Sequence, residues 1–271
     1  MSTFLHEKIS GLVVNLKFDN RWPLLFQRIF HRKVPVAVYA KDGMSFITDF
    51  EGGDQGGIRH LLTSGMYSRH FGHIGKKQEL TVLDLGANGG GFPLCLRDRN
   101  FTIKKAVCVE MNPHTYIRLL FNLDLNFPGT AVALNYAVAG QAGSLEIEDS
   151  RGSTGQSIYA SKDGRPERLV RVAMITLDQL VKDYFPTETG DLDILKIDIE
   201  GAEYEMLLSG NCSAIGRFRQ IFIEIHPNPQ TTPEVLIERI ISFGFQLTGP
   251  PDESDPDVYF FTRSAPAAGL E

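Results

Sequence analysis

Thr81-Val-Leu-Asp-Leu-Gly-Ala-Asn-Gly-Gly-Gly91 is a short apolar run that meets an acid and then a cluster of glycines. Residues 80 to 85 are too few for a helix and fit a buried strand, and the glycines permit the sharp strand-to-helix turn of a nucleotide-binding βαβ unit. Gly86 and Gly89 carry no Cβ, so the backbone around Ala87 and Asn88 can approach a ligand closely. Asp84 places a carboxylate at the end of the strand. A pyrophosphate held by such a loop and the following helix N-terminus would be poorly served by that acid. Asn88 also stands where the pattern G-x-G-x-x-G requires its second glycine. The charge therefore favours a cofactor with an aminoacyl end over a dinucleotide. A buried strand with a purely structural glycine turn is the competing reading.

Downstream, Ala106 to Glu110 is a second apolar strand that ends in an acid, and Glu110 lies 24 residues past Gly86. A spacing of about 20 is where an acid meets ribose hydroxyls, because the second parallel strand ends beside the first. Asn112-Pro113 opens a helix with Asn112 as its cap and Tyr116, Leu119, Leu120 and Leu123 as its core stripe. Ala131 to Leu134 reads as a third strand and is followed by Ala137 and Val138. Ser144 to Glu148 is a short strand, and the polar, glycine-rich run 149 to 157 is either a lid over substrate or a tolerated insertion. Leu169 to Ile175 resumes as a strand, and Thr176 caps the next helix.

Ile194-Leu-Lys-Ile-Asp-Ile-Glu-Gly-Ala-Glu203 is an apolar strand carrying Lys196, Asp198 and Glu200, and buried strands rarely hold three charges idly. Asp198 falls at its C-terminal end, where an open α/β sheet keeps its ligand crevice, and Gly201 lets the chain turn so that Glu200 and Glu203 come near. The next strand, 217 to 226, delivers Glu224 and His226 to the same place. His226 is expected to titrate near neutrality and to act as general base; a hydrogen-bonded histidine that only shapes the turn before Pro227 is the alternative. Asp198, Glu200 and Glu224 offer hard oxygens that suit Mg²⁺, but acceptor binding alone explains them, and no metal is expected. Thr232-Pro233 opens a last helix that Gly244 stops, and 245 to 248 and 258 to 262 close the sheet.

Before the glycine loop, residues 4 to 18 show near-helical apolar spacing. A second helix, capped by Asp19 or Asn20 with Pro23 in its first turn, gathers Trp22, Leu25, Phe26, Ile29 and Phe30 on one face. Docking of that face on the main domain or on a second copy of the chain is expected in preference to a membrane surface. Val34 to Ala40 and Met44 to Asp49 read as a hairpin turned at Lys41-Asp42-Gly43. Ile58 to Phe71 reads as a helix rich in Arg, His and Tyr. A solvated face accounts for most of that cluster, and only Tyr67 is kept as a substrate-contact candidate.

The chain has 271 residues, 42% hydrophobic and 22% charged, with a net charge of −6. It is long enough for one α/β domain with an N-terminal elaboration. The acidic balance disfavours nucleic-acid binding. Cys95, Cys108 and Cys212 are widely spaced and odd in number, as reduced core cysteines are. With no run of about 18 apolar residues and no secretion-signal pattern, no membrane-spanning segment and a cytoplasmic location are expected.

Taken together, Asp84-x-Gly86-Ala87-Asn88-x-Gly90, Glu110, Thr176-Leu177-Asp178, Lys196-Ile-Asp198-Ile-Glu200-Gly201-Ala202-Glu203 and Glu224-x-His226 resemble the FkbM family of S-adenosylmethionine-dependent methyltransferases. The resemblance covers about residues 80 to 226, and its most diagnostic piece is 198 to 203. It implies an α/β fold with a Rossmann-like class I methyltransferase sheet, helices on both faces and an antiparallel last strand, preceded by an N-terminal helix and β-hairpin extension. With the elements read along the rest of the chain, the expected boundaries are 1–75 for the extension, 76–263 for the methyltransferase domain and 264–271 for a tail. The implied activity is O-methylation of a sugar, glycan or secondary metabolite. An NAD-dependent oxidoreductase and a non-catalytic binding or scaffold protein are the alternatives. S-adenosylmethionine would be held by Asp84, Gly86, Ala87, Asn88, Gly89, Glu110, Asn112, Ala137 and Asp198, with Ala137 against the adenine. Catalysis would fall to His226, Asp198 and Glu200, and acceptor binding to Glu203, Glu224 and Tyr67. A small-molecule or carbohydrate acceptor and a homodimer are the expected partners.

Overall fold

In the computed structural model, residues 14–31, 34–52, 57–75, 79–149, 168–253 and 255–263 are described. The expected helix over 4 to 18, the glycine-rich runs at 53–56 and 150–157, and the tail beyond 263 therefore lie wholly or largely outside them.

Helix α1, Arg21–Phe30, leads into strands β1, Val36–Lys41, and β2, Met44–Asp49, which pair antiparallel as the turn at Asp42-Gly43 requires. Helix α2 is shorter than its sequence suggests. It spans Ile58–Ser64 and stops because Gly65 adopts the left-handed conformation (φ 91°), after which Ser68–His73 form a 3₁₀ helix. Strand β3, Glu79–Leu85, passes through the glycine turn into α3, Gly91–Asp98, followed by β4, Thr102–Val109, α4, Pro113–Asn126, and β5, Ala131–Leu134. Three short strands, β6 (Ala137–Val138), β7 (Gly143–Glu148) and β8 (Leu169–Ile175), form a separate small sheet in the order β6-β8-β7. Helix α5, Leu177–Tyr184, β9, Leu192–Ile197, α6, Glu203–Leu208, β10, Phe218–Glu224, α7, Pro233–Ser242, β11, Phe245–Gly249, and β12, Val258–Arg263, complete the chain.

The main sheet has seven strands in the order β11-β12-β10-β9-β3-β4-β5. Its central strands run parallel, and the last strand, β12, runs antiparallel to β10 and β11. This is the expected Rossmann-like sheet. It is buried on both sides because its strands are apolar at successive positions, and successive side chains point to opposite faces. Val82, Cys108, Ile194 and Phe222 enter one core, with α3, α4 and the hairpin. Their neighbours Leu83, Val107, Leu195 and Ile223 enter the other, with α5, α6 and α7.

The expected core stripe of α4 holds only in part. On α4 Leu119 and Leu123 are buried, but Leu120 is exposed and Asn122 is fully buried. Asn122 and Asn126, one helical turn apart, act as a surrogate strand for β2. Asn122 accepts from Ile47 N–H (2.7 Å) and donates to Ile47 C=O (3.1 Å), and Asn126 does the same with Ser45 (3.1 and 2.7 Å). The face of α1 does not dock on the described residues of the domain, the first of the two partners expected for it. Leu24, on the opposite side, is its buried residue, while Trp22, Phe26, Ile29 and Phe30 are exposed.

Candidate active site

A cavity of about 490 Å³ opens at the C-terminal ends of β3, β4, β9 and β10. The chain leaves β3 for β4 on one side and returns to β9 on the other, so the crevice sits at the switch point of the sheet.

The glycine turn forms one wall, for a reason different from the one its sequence suggests. A Cβ on Gly86 (φ 75°) would stand 1.6 Å from the Asp198 carbonyl oxygen, and one on Gly89 would stand 3.1 Å from Ile58 Cδ1. The missing side chains admit neighbouring protein, and the loop is pressed into shape by the end of β9 and by α2. Gly86, Ala87, Asn88 and Gly89 line the cavity with what remains of their surface. Asn88, at φ 47°, supports itself by accepting from the next N–H, that of Gly89, at 2.7 Å.

Glu110 follows β4. One carboxylate oxygen accepts from Asn88 N–H at 3.0 Å and the other from Asn112 N–H at 2.8 Å. Burial raises its pKa to about 7, opposed by those two N–H groups. Asn112 caps α4 by accepting from His114 and Thr115 N–H at 2.9 and 3.1 Å. Asn135, which carries no sequence signal of a role, donates to the carbonyls of Glu110 and Met111, both at 2.9 Å, and so fixes the backbone beneath the carboxylate. Met111, Tyr136, Ala137 and Val138 make an apolar wall beside it.

Asp84 does not line the cavity. Its side chain is fully buried, and its carboxylate lies 3.2 Å from Lys196 Nζ. Lys196 is the residue whose part sequence reasoning missed. It is 3.2 Å from Asp198 as well, and it donates to Gly86 C=O at 2.7 Å, tying the glycine turn to β9. Burial works against its charge, but Asp198 and Asp84 outweigh burial and hold it well above its ordinary range.

At the far end, carboxylates surround one imidazole. His226 Nδ1 lies 2.9 Å from Glu203 Oε1, and Nε2 lies 3.3 Å from Glu200, 3.8 Å from Glu224 and 3.9 Å from Asp198. Glu203 is fully buried behind the ring, outside the cavity lining, and the same Oε1 accepts from Ile199 N–H at 3.0 Å. It orients His226 and the β9 turn, and it does not face an acceptor. Glu200 holds its place at φ 54°, a left-handed conformation that a non-glycine residue keeps only when its surroundings impose it.

Electrostatics correct the expected base. Burial disfavours an imidazolium at His226, but the hydrogen bond to Glu203 and the charges of Glu203, Glu200 and Asp198 raise its pKa to about 9. It is therefore cationic at neutral pH. Among the groups around this imidazole, Glu224 is the carboxyl raised to about 7, by burial and then by the charge of Asp198. Asp198, Glu224 and His226 each present one atom within 4.8 Å of the others, a set different from the three carboxylates that suggested Mg²⁺. The imidazolium already supplies positive charge at that point.

Tyr67 lines the cavity but is deeply buried, its ring edge-on to Phe92 at 5.2 Å and to Phe222 at 5.9 Å. Ile58 and Leu61 of α2, which no motif marks, form part of the wall above the glycine turn.

The methyltransferase FkbM domain family matches residues 84–247. The chain is similar to "Methyltransferase sdnD" of Sordaria araneosa, with 27% identity over 205 residues, 66% of this chain and 78% of that protein. Among solved structures it is similar to a methyltransferase FkbM from Methylobacillus flagellatus KT, at 17% identity with a TM-score of 0.51 over 73% of this chain. The chain spans about half of that structure's length, 47%.

Proposed function

Since the chain belongs to the FkbM methyltransferase family, we propose that it moves a methyl group from S-adenosylmethionine to a hydroxyl of a sugar, glycan or secondary metabolite. It is an S-adenosylmethionine-dependent methyltransferase; the acceptor and the division of labour among its residues are our reading.

The cavity fits the cofactor by charge. Glu110, Asp198, Glu200, Glu224 and Asp255 line it against Lys196, His226 and His60, an excess of acid that suits a sulfonium and an ammonium and repels a pyrophosphate. In this reading Glu110, its backbone clamped at both sides, receives the ribose hydroxyls. Met111, Tyr136 and Ala137 take the base, the turn at 86 to 89 packs against the aminoacyl end, and Asp198 meets its ammonium. When bound, the cofactor supplies an electrophilic methyl whose bond to sulfur breaks as the acceptor oxygen bonds to carbon, leaving the hydroxyl proton to be removed.

The observation that carries the hydroxyl acceptor is the convergence of Glu200, Glu224 and His226 at one end of the cavity. Carboxylates accept from sugar or metabolite hydroxyls, and the His226 imidazolium donates to an acceptor oxygen and keeps the carboxylates apart. Glu224 is the proton acceptor, because a carboxyl with a pKa of about 7 is deprotonated at slightly alkaline pH and still basic enough to take a proton released late in the transfer.

The test is calorimetric titration with S-adenosylhomocysteine, followed by a screen of sugars and hydroxylated metabolites for methyl transfer in wild type and Glu224→Gln. Saturable binding, with acceptor-dependent turnover that Glu224→Gln lowers by about 10²-fold or more, is expected. Binding without turnover on any hydroxylated acceptor, or turnover only on RNA or on an amine, would overturn the acceptor class.

A further inference from the structure

We propose that α1 is a membrane-surface anchor for anionic lipid, independent of which acceptor the active site methylates. At 3.6 residues per turn, Trp22, Phe26, Ile29 and Phe30 share one face of α1, and Leu24, the residue buried against the domain, lies on the opposite face. The aromatic face therefore points away from the protein. Trp22 is 69% exposed and Phe30 67%. The rings of Phe26 and Phe30 lie 4.7 Å apart, so they form one continuous patch. Gln27 and Asn20 bind α1 to the outer strand of the hairpin through the carbonyls of Val36 (2.6 Å) and Val38 (2.8 Å). The side chains of Val36 and Val38 on that strand are also exposed.

Charge identifies the occupant. Between Asn20 and Val38 the sequence has Arg21, Arg28, Arg32, Lys33 and His31 and no acid, in a chain whose net charge is −6. An exposed aromatic face on a segment whose charged side chains are all basic, with Arg21 exposed beside Trp22, is the composition that lies in a lipid interface, rings among the acyl chain ends and cations among anionic headgroups. A second copy of the chain fits less well. A two-fold dimer through this face would bring the two basic segments together, and like charges oppose the contact.

Trp22 is the chain's sole tryptophan, so its emission reports on this face alone. The test titrates the full chain with vesicles of phosphatidylcholine, and with vesicles of phosphatidylcholine mixed with phosphatidylglycerol, following Trp22 emission and co-sedimentation. A blue shift and sedimentation with the anionic vesicles, both weakened by salt, are expected. Arg21→Glu, at an exposed position, should weaken partition by roughly thirtyfold, a change of two charges at about fivefold each. Phe26→Ser/Phe30→Ser should abolish it. Both variants should keep the wild-type circular dichroism and S-adenosylhomocysteine affinity, which separates loss of anchoring from loss of fold. No shift with anionic vesicles, or an equal shift with neutral ones, overturns the proposal. Trp22 emission that is already blue without vesicles also overturns it, in favour of a dimer if the shift depends on protein concentration and of a cover from the same chain if it does not.

Discussion

Lys196 stands opposite Asp84 in the parallel register of β9 and β3, and its Nζ lies 3.2 Å from the Asp84 carboxylate, both side chains buried. The acid that ends the first strand is thus neutralised by the protein before any ligand arrives. Lys196→Met should leave Asp84 uncompensated in the core and destabilise by about 3–5 kcal/mol. Adding Asp84→Asn should restore much of the loss, because the orphaned charge goes with it. Urea unfolding of the two singles and the double variant measures the coupling; additive losses would mean that the two side chains do not act as a pair.

Gly86 and Gly43 make a matched comparison. Both have positive φ, 75° and 73°, but a Cβ at Gly43 meets nothing within 4 Å while one at Gly86 strikes the Asp198 carbonyl at 1.6 Å. Gly43→Ala should carry only the left-handed penalty of about 1–2 kcal/mol. Gly86→Ala adds a backbone clash, and its loss should exceed that of Gly43→Ala by about 1–3 kcal/mol and weaken S-adenosylhomocysteine binding too. Equal melting temperatures for the two variants would contradict the close approach of β9 to the glycine turn.

Asn122 satisfies the N–H and C=O of Ile47 and also donates to Gly89 C=O at 2.8 Å, so one buried amide joins the hairpin to the cofactor loop. Asn122→Leu keeps the volume and removes every partner. The orphaned backbone groups should cost about 1–3 kcal/mol each if they stay dry, and the more economical response is detachment of β2. Hydrogen exchange at the Ile47 amide should rise well above that of strands β3 and β9 in the variant. An unchanged protection pattern would remove the surrogate-strand account.

The strands that build the site were legible because each is an apolar run with a polar end. Thr81 to Leu85, Ala106 to Val109 and Ile194 to Ile197 alternate between two buried faces and stop at Gly86, Glu110 and Asp198. What failed to show was anything that depends on register or on the far side of an element. Lys196 reads as one of three charges aimed at a ligand until β9 is laid beside β3 and it is seen to face Asp84. Glu203 reads as a neighbour of Glu200, yet α6 turns it inward behind His226. Asn122 and Asn126 look like the wet side of α4, because polarity alone does not distinguish a solvated amide from one that replaces a strand. The left-handed Glu200 has no composition signal at all.

Glu203 sets the charge of His226. With its folded pKa at about 9, above the ordinary value of 6.5, His226 contributes stability that is fully present below about pH 6.5 and is lost as pH rises through about 9. Glu203→Gln keeps an oxygen for Ile199 N–H but removes the negative charge, so the imidazole pKa should fall toward neutrality and the loss of stability should move to lower pH. Nitrogen-detected NMR titration of the His226 ring reads this directly. A variant ring that still titrates near pH 9 would assign the shift to Glu200 and Asp198 alone.

Glu110 should trade stability for cofactor affinity. Its folded pKa of about 7 lies above the ordinary carboxyl value of 4.5, so between those pH values the folded protein holds a proton that the unfolded chain has released. Folding stability from this group is therefore greatest below about pH 4.5 and declines as pH rises to about 7. The ionised form is the one that accepts ribose hydroxyls on top of the Asn88 and Asn112 N–H groups. S-adenosylhomocysteine affinity should accordingly rise from pH 6 to pH 8, with proton release on binding near pH 7. Glu110→Gln carries no titrating proton there, so its stability should fall less steeply between pH 5 and pH 7 while its affinity is lower and loses this component of its pH dependence. Glu224, also near 7, contributes a second proton to the wild-type profile, and Glu224→Gln isolates it. Calorimetry in two buffers of different ionisation enthalpy counts the protons; an affinity that stays level across pH 6 to 8 in wild type would show that the Glu110 carboxylate is not what holds the cofactor.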